Sequence, residues 1–357
     1  MTMENIRFLV MTFSLDLAWG LSYIYLMLEI YDLYGMDGYF LAISLGAIVN
    51  FLGTLIFSLI RYRRFISISI ALPSSLLLYS ALNNTNHFLT IGLLSLLSCY
   101  EPLILESLFS EMEEGEASGT YYTISGLGII LGLIIGGVLI NNLSIENLLL
   151  ISSIICLISS LIAPNGISGE ESVVKLELDS SIIGLLTPIL ILEGFVTPLT
   201  YTLIEIKLYE FFGRSSSVIG LLLSISMLLD IILGPLIGKL VDRLSGIISF
   251  LCSSVLLLVH LALSTLLEDG MFLVSLLLIP IQPLYYSSRN KLATELTGSP
   301  RGLSISLPIA ASSLSHAIFY VAYSLIMDFL NYAIPLLSLL YFIALIPLKL
   351  KSPDLTL

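Results

Sequence analysis

Apolar runs broken by polar punctuation divide the chain into twelve stretches, at about 7–31, 38–60, 65–82, 88–110, 118–140, 146–163, 181–206, 216–239, 246–266, 270–288, 302–328 and 332–349. A helix rises 1.5 Å per residue, so each stretch suffices for a hydrocarbon layer about 30 Å thick. The runs are continuous in Leu and Ile instead of alternating apolar with polar, which excludes a transmembrane β-barrel. The pattern predicts an all-α membrane protein of twelve transmembrane helices. Composition agrees: 57% of the 357 residues are hydrophobic and 11% charged, against about 25% charged in soluble domains. The connections left over are too short for a soluble domain.

Charge adds orientation. Of the 14 Lys and Arg, all but Lys207 and Arg214 fall on one side of the predicted spans, so the positive-inside rule places both termini in the cytoplasm of a multi-pass plasma-membrane protein. The triplets at Asn83-Asn84-Thr85 and Asn142-Leu143-Ser144 land in outside loops. The net charge of −12 comes largely from acids in short loops and implies no nucleic-acid partner. Glu111, Glu113, Glu114 and Glu116 read as a solvated cytoplasmic run. Cys99, Cys156 and Cys252 lie inside apolar runs and read as packing residues, with no metal or disulfide spacing. The amino terminus, with one Arg7 and with Asp16 inside its first run, reads as a span and not as a cleaved signal.

The chain also aligns with itself. A shift of 178 brings Tyr23, Tyr31, Asp32 and Gly35 onto Tyr201, Tyr209, Glu210 and Gly213; three residues later in register, Leu52-Gly53-Thr54-Leu55-Ile56 falls on Leu233-Gly234-Pro235-Leu236-Ile237. Internal repeats of this kind build many transporters. The predicted organisation is a six-helix half over 1–163, a Gly- and Ser-rich cytoplasmic linker over 164–180, and a second half over 181–357.

Two motifs follow. Gly238-Lys239-Leu240-Val241-Asp242-Arg243-Leu244-Ser245-Gly246 joins spans 8 and 9. It resembles the loop signature G-x-L-x-D-R-x-G of the major facilitator superfamily, with Gly238, Leu240, Asp242 and Arg243 in place and the last glycine one residue late. Its first-half equivalent is degraded, with Phe57 and Arg61 where the glycine and acid belong. An ordinary positive-inside loop is the plainer reading. In span 5, Gly128, Gly132, Gly136 and Gly137 resemble the G-x-x-x-G-P-x-x-G-G signature of proton-coupled drug and metabolite exporters of the same superfamily, with Leu133 replacing the proline. Generic helix association explains these glycines equally well. Gly126 to Gly132 and Gly234 to Lys239 miss the spacing of dinucleotide and phosphate loops, so neither a nucleotide cofactor nor ATP-driven transport is expected. Absence of HExxH and Gly-x-Ser-x-Gly argues against an enzyme.

Acids at membrane depth carry the functional expectation, because each costs about 2.5–3.5 kcal/mol on insertion scales and needs a cavity or a partner. They are Asp16, Glu101, Glu106, Glu193 and Asp230, the proton-coupling candidates. The resemblance implies a cavity lined by spans 1, 4, 7 and 10, which hold four of the five. Glu101 stands near mid-span before Pro102, and Asp16 and Glu193 fall one position apart under the repeat shift. Trp19, Gln282, Tyr285 and Tyr286 are candidate cavity walls, with packing and interfacial anchoring as plainer alternatives. His260 and His316 read as packing residues. The resemblance implies a secondary transporter exchanging a small, amphipathic molecule and protons across lipid, by export. Uptake by symport, facilitated uptake, and a non-transporting sensor or scaffold are the alternatives. The sequence is compatible with a monomer.

Overall fold

Helix is the only regular structure among the described residues of a computed structural model, which describes 1–59, 65–83, 86–164, 180–196, 203–266, 273–274, 276, 281–297 and 303–327. In order they are α1 (Met3–Leu59), α2 (Phe65–Asn83), α3 (His87–Leu97), α4 (Glu101–Phe109), α5 (Glu114–Leu139), α6 (Ile145–Ile162), α7 (Ser180–Ile191), a π-helical turn (Leu192–Val196), α8 (Leu203–Phe211), α9 (Ser216–Arg243), α10 (Gly246–Leu266), α11 (Ile281–Thr297) and α12 (Leu303–Met327). Eight helices in this part are long and apolar enough to cross a membrane, counting α1 once and α3 with α4 as one. Outward apolar side chains such as Leu72, Leu161 and Val321 suit a lipid-facing surface. The expected span 332–349, most of the linker 164–180, the Arg61 loop and the Asn84 triplet lie outside the described residues, as do the side chains of Asp230 and Gln282.

Straight, the 57 residues of α1 would extend about 85 Å, nearly three hydrocarbon thicknesses. The chain instead turns at Gly35, whose φ of 67° glycine adopts without steric cost. Tyr31 and Tyr39 consequently stand with ring centroids 6.1 Å apart, where eight residues of straight helix would separate them by about 12 Å. The two expected first spans are the arms of this element.

Glycines set the central packing. Gly128, Gly132 and Gly136 lie on one face of α5, and a methyl on each would strike the α1 backbone or Tyr25. The register advances together, from Phe13 beside Gly128 to Leu17 beside Gly132 and Leu21 beside Gly136, so these helices run parallel. On another face Gly115 meets Gly238, Gly119 meets Gly234, and Gly137 meets Ser217, so α9 runs antiparallel along α5. The span 5 glycines thus form the close-packed faces of α5. Tyr25 fastens the α1–α5 seam by donating to the Leu133 carbonyl at 2.5 Å. Cys99 and Cys156 are buried, whereas Cys252 is exposed.

Candidate functional site

The expected fourth span is broken. Its α3 portion ends at Leu97, residues 98–100 form a turn, and α4 restarts at Glu101 with Pro102 in its first turn. Proline is tolerated there because it lacks an N–H that would be orphaned anyway. Glu101 therefore stands at the start of a half-helix, where the dipole favours a carboxylate. Glu193 lies in the π-helical turn that follows α7.

Between these acids lies a residue the sequence reading misplaced. Arg289 was counted with the cytoplasmic loop after span 10; it belongs to α11 and is 2% exposed. Its Nη1 donates to Glu193 Oε1 and Oε2 at 3.1 and 3.4 Å. Its Nη2 donates to Glu101 Oε1 at 3.4 Å and to Asn290 Oδ1 at 3.3 Å, and its Nε also reaches Asn290 Oδ1. The guanidinium carbon is 4.9 Å from the Tyr286 ring centroid, within cation–π range. Ser312 donates to Glu193 Oε2 and Tyr122 to Glu101 Oε1, the latter at 2.5 Å. One guanidinium thus faces two carboxylates, and the trio carries one excess negative charge unless it takes up a proton. The acids differ in access: Glu193 is fully buried, while the Glu101 side chain is 20% exposed and its Oε2 has no protein donor among the described residues.

Two adjoining lobes open beside this cluster. The smaller, about 290 Å³, is bordered by Trp19, Asn50, Glu101, Arg289, Ser313 and His316. The larger, about 390 Å³, shares Trp19, Asn50, Glu101 and Tyr286 with it and extends to Asp16 and Tyr122. Helices α1, α4, α11 and α12 contribute to both. The expected spans 1, 4 and 10 are represented in the lining; Glu193 of span 7 stands behind it and is connected through Arg289.

The other expected site residues separate. Trp19 and Tyr286 line both lobes, and Trp19 stacks on Tyr23 with centroids 4.4 Å apart. Tyr285 is buried against Phe250 instead of lining either lobe, because adjacent helical residues point about 100° apart. Glu106 lies farther along α4, outside the lining of both. His260 is buried, as a packing residue would be. His316 departs from that expectation: it borders the smaller lobe, hydrogen-bonds the Glu193 main chain, and leaves Nε2 without a hydrogen-bond partner among the described residues.

Polar contacts join the helices at each end. At the Gly35 end, Tyr31 donates to Glu210 at 2.9 Å and Tyr209 to Asp32 at 2.6 Å. Arg214 pairs with both acids, at 3.4 Å to Asp32 and 2.9 Å to Glu210. These tyrosines and acids are the pairs aligned by the 178-residue shift, here bonded crosswise, and Gly213 repeats the positive φ of Gly35 at 65°. Tyr31 and Arg214 hold the Glu210 carboxyl below the usual carboxylate range, so this closure weakens as pH falls through the lowered value.

At the opposite end, Asp242 accepts from the Gly115 and Glu116 N–H groups, each at 2.7 Å. Its partner is the start of α5, where Glu113 makes no side-chain cap bond, while Arg243 is exposed. Asp242 of the loop motif is therefore an acid capping another helix. Lys291 donates to the Val241, Asp242 and Leu244 carbonyls, and Glu295 accepts from Gly246 N–H, so α11 holds both sides of the same loop. Asp242→Asn keeps one acceptor but loses the charge and the second of the two bonds, and is expected to cost about 1 kcal/mol, the usual net worth of a hydrogen bond. Faster amide exchange confined to the first turn of α5 would show it; unchanged exchange there would leave the motif a topogenic signal.

Neither a model of a known protein family nor a curated protein matches this chain.

Proposed function

We propose that the chain is a twelve-span secondary transporter of the plasma membrane, with two six-helix halves and cytoplasmic termini, that couples proton movement to passage of a small molecule. The observation that carries the reading is the Glu101–Arg289–Glu193 cluster, which has one more carboxylate than cation and borders a cavity. An isolated ionised carboxylate is costly away from water, so the excess charge is a reason for proton uptake during the cycle. The contacts at the two ends support alternating access: opening toward either side requires breaking one set while keeping the other. Lys239, Arg243 and Lys291 lie toward the Asp242 end, the cytoplasmic one in this reading. The span 5 resemblance favours export as the direction.

Purified protein in proteoliposomes, under an imposed pH gradient and screened across substrate classes, should show gradient-dependent flux absent from protein-free vesicles. Flux indifferent to the gradient would reduce the protein to a facilitator. No flux for any class would leave the sensor or scaffold reading.

A further inference from the structure

The helix break before Glu101 has a cause in the sequence and a support in the fold. In a continuous helix the Pro102 ring would meet the carbonyl four residues back, that of Ser98, and leave it without an N–H donor. The chain turns at 98–100 instead. One face of the second arm of α1 is fitted to this turn, with Gly46, Asn50 and Gly53 spaced four and three residues apart along it. A methyl on Gly46 would strike Ser95 Oγ, and one on Gly53 would strike Cys99 Sγ. Between them, Asn50 Nδ2 donates to Ser98 Oγ at 2.8 Å and to the Ser95 carbonyl at 3.4 Å. A carbonyl only accepts, so this contact fixes which end of the amide faces the turn.

The other end of the amide reaches a distant part of the chain. Asn50 Oδ1 accepts from Ser313 on α12 at 2.7 Å and from Thr54 at 3.4 Å, so both N–H groups and both lone pairs are used. Ser312, next to Ser313, donates to Glu193. A closed circuit therefore runs from Glu101 through Arg289 to Glu193, on to Ser312 and Ser313, and back through Asn50 and Ser98 to Glu101. Every member but Glu193 borders the smaller lobe. In the proposed two-half arrangement the circuit crosses between halves twice, from Arg289 to Glu101 and from Ser313 to Asn50. Parting the halves at this level breaks both crossings, and the second takes away a bond that orients the amide against the turn.

We infer that Asn50 is a positioning residue for the coupling acid: held by Ser313, it makes the seat of Glu101 at the helix break depend on contact between the halves. The inference rests on the transport reading and adds the route by which closure of the lobe is felt at Glu101. Asn50 is an amide that does not titrate, so a change in proton affinity caused by its substitution reports geometry alone.

Trp19, the sole tryptophan of the chain, borders both lobes together with Glu101. Its emission, in full-length protein in lipid nanodiscs, is expected to follow the ionisation of that carboxyl as pH is varied, and the part of the transition that Glu101→Gln removes belongs to Glu101. Asn50→Leu, close in shape but unable to hydrogen-bond, should move that midpoint to higher pH by about half a unit or more, a threefold change in proton affinity. A carboxylate held less firmly beside Arg289 is easier to protonate. Ser313→Ala should move it the same way, the double variant no further than Asn50→Leu alone, and Ser313→Thr, which keeps the hydroxyl, should restore it. The titratable and charged groups facing Glu101 are Asp16 from α1, Tyr121 and Tyr122 from α5, Glu193 from the π-helical turn, Tyr286 and Arg289 from α11, and His316 across the smaller lobe from α12. All keep their identity in these variants. An unmoved midpoint in Asn50→Leu, an unmoved midpoint in Ser313→Ala, or additive shifts in the double variant would each overturn the inference. If Asn50→Leu does not fold, Ser313→Ala against Ser313→Thr decides. Shifted midpoints in a protein that carries no flux of any substrate class would overturn the transport reading and keep the link, whereas pH-driven flux with unmoved midpoints would do the reverse. Absence of a Glu101-dependent transition in the unaltered protein would remove Glu101 as a proton site and the inference with it.

Discussion

Arg289→Met is expected to destabilise the folded chain by about 3–5 kcal/mol, because it strips the cationic partner, the one found among the described residues, from the buried Glu193 and the mostly buried Glu101. Methionine fills much of the arginine stem's volume, so the loss comes mainly from uncompensated charge and only in part from packing. The double variant Arg289→Met with Glu193→Gln should recover a large part of the deficit, since one of the two stranded charges is then gone. Reversible unfolding of the purified variants, arranged as a double-mutant cycle, isolates the pairwise term. A loss below about 1 kcal/mol for Arg289→Met, a value typical of exposed pairs, would mean that the trio does not hold α4, α11 and the π-helical turn together. The deficit should also diminish at low pH, where the stranded carboxylates are neutralised.

Hydropathy located most of the described helices because each run had to satisfy one solvent. It failed at α11 for the same reason. Ser287, Ser288, Arg289 and Asn290 are all buried, yet averaged along the sequence they look like the start of an aqueous loop, so the expected span stopped at 288. Polarity hidden inside protein and polarity facing water have the same composition. A charge argument would have distinguished them: acids on several spans required a cation at similar depth, and Arg289 is one helical turn beyond Tyr286, already a candidate wall.

Glycine and proline positions were legible to different extents. The Gly35–Gly213 correspondence came from the repeat shift, and both glycines adopt the conformation that makes their identity necessary. Asp242 was singled out by its loop motif, but its partners are main-chain N–H groups 127 and 126 residues away, which no side-chain pattern encodes. Pro102, placed near mid-span by hydropathy, stands where a helix begins. The acids themselves were found by depth alone. Which of them face a common cavity depends on helix rotation, and here Glu101 and Asp16 border one while Glu193 lies behind Arg289.

Glu101→Gln is expected to abolish the response to a pH gradient while sparing substrate exchange. The neutral amide keeps an oxygen to accept from Tyr122, and Arg289 remains paired with Glu193, so the cluster is fixed without its excess negative charge. That resembles the proton-loaded state, from which a coupled cycle cannot release its proton. Glu193→Gln should behave differently. It also removes one charge, but it leaves the cavity-exposed carboxylate able to titrate, so pH-driven flux should fall in rate and persist. Asp16→Asn should weaken substrate binding more than coupling, because Asp16 borders the larger lobe and is not among the hydrogen-bond partners of Arg289 within the described residues. Proton-driven flux measured beside gradient-independent exchange in proteoliposomes separates these outcomes. Full pH-driven transport by Glu101→Gln would remove Glu101 as the coupling acid. The same result for all three variants would end the proton-coupled reading, which rests on the Glu101–Arg289–Glu193 cluster and the cavity beside it.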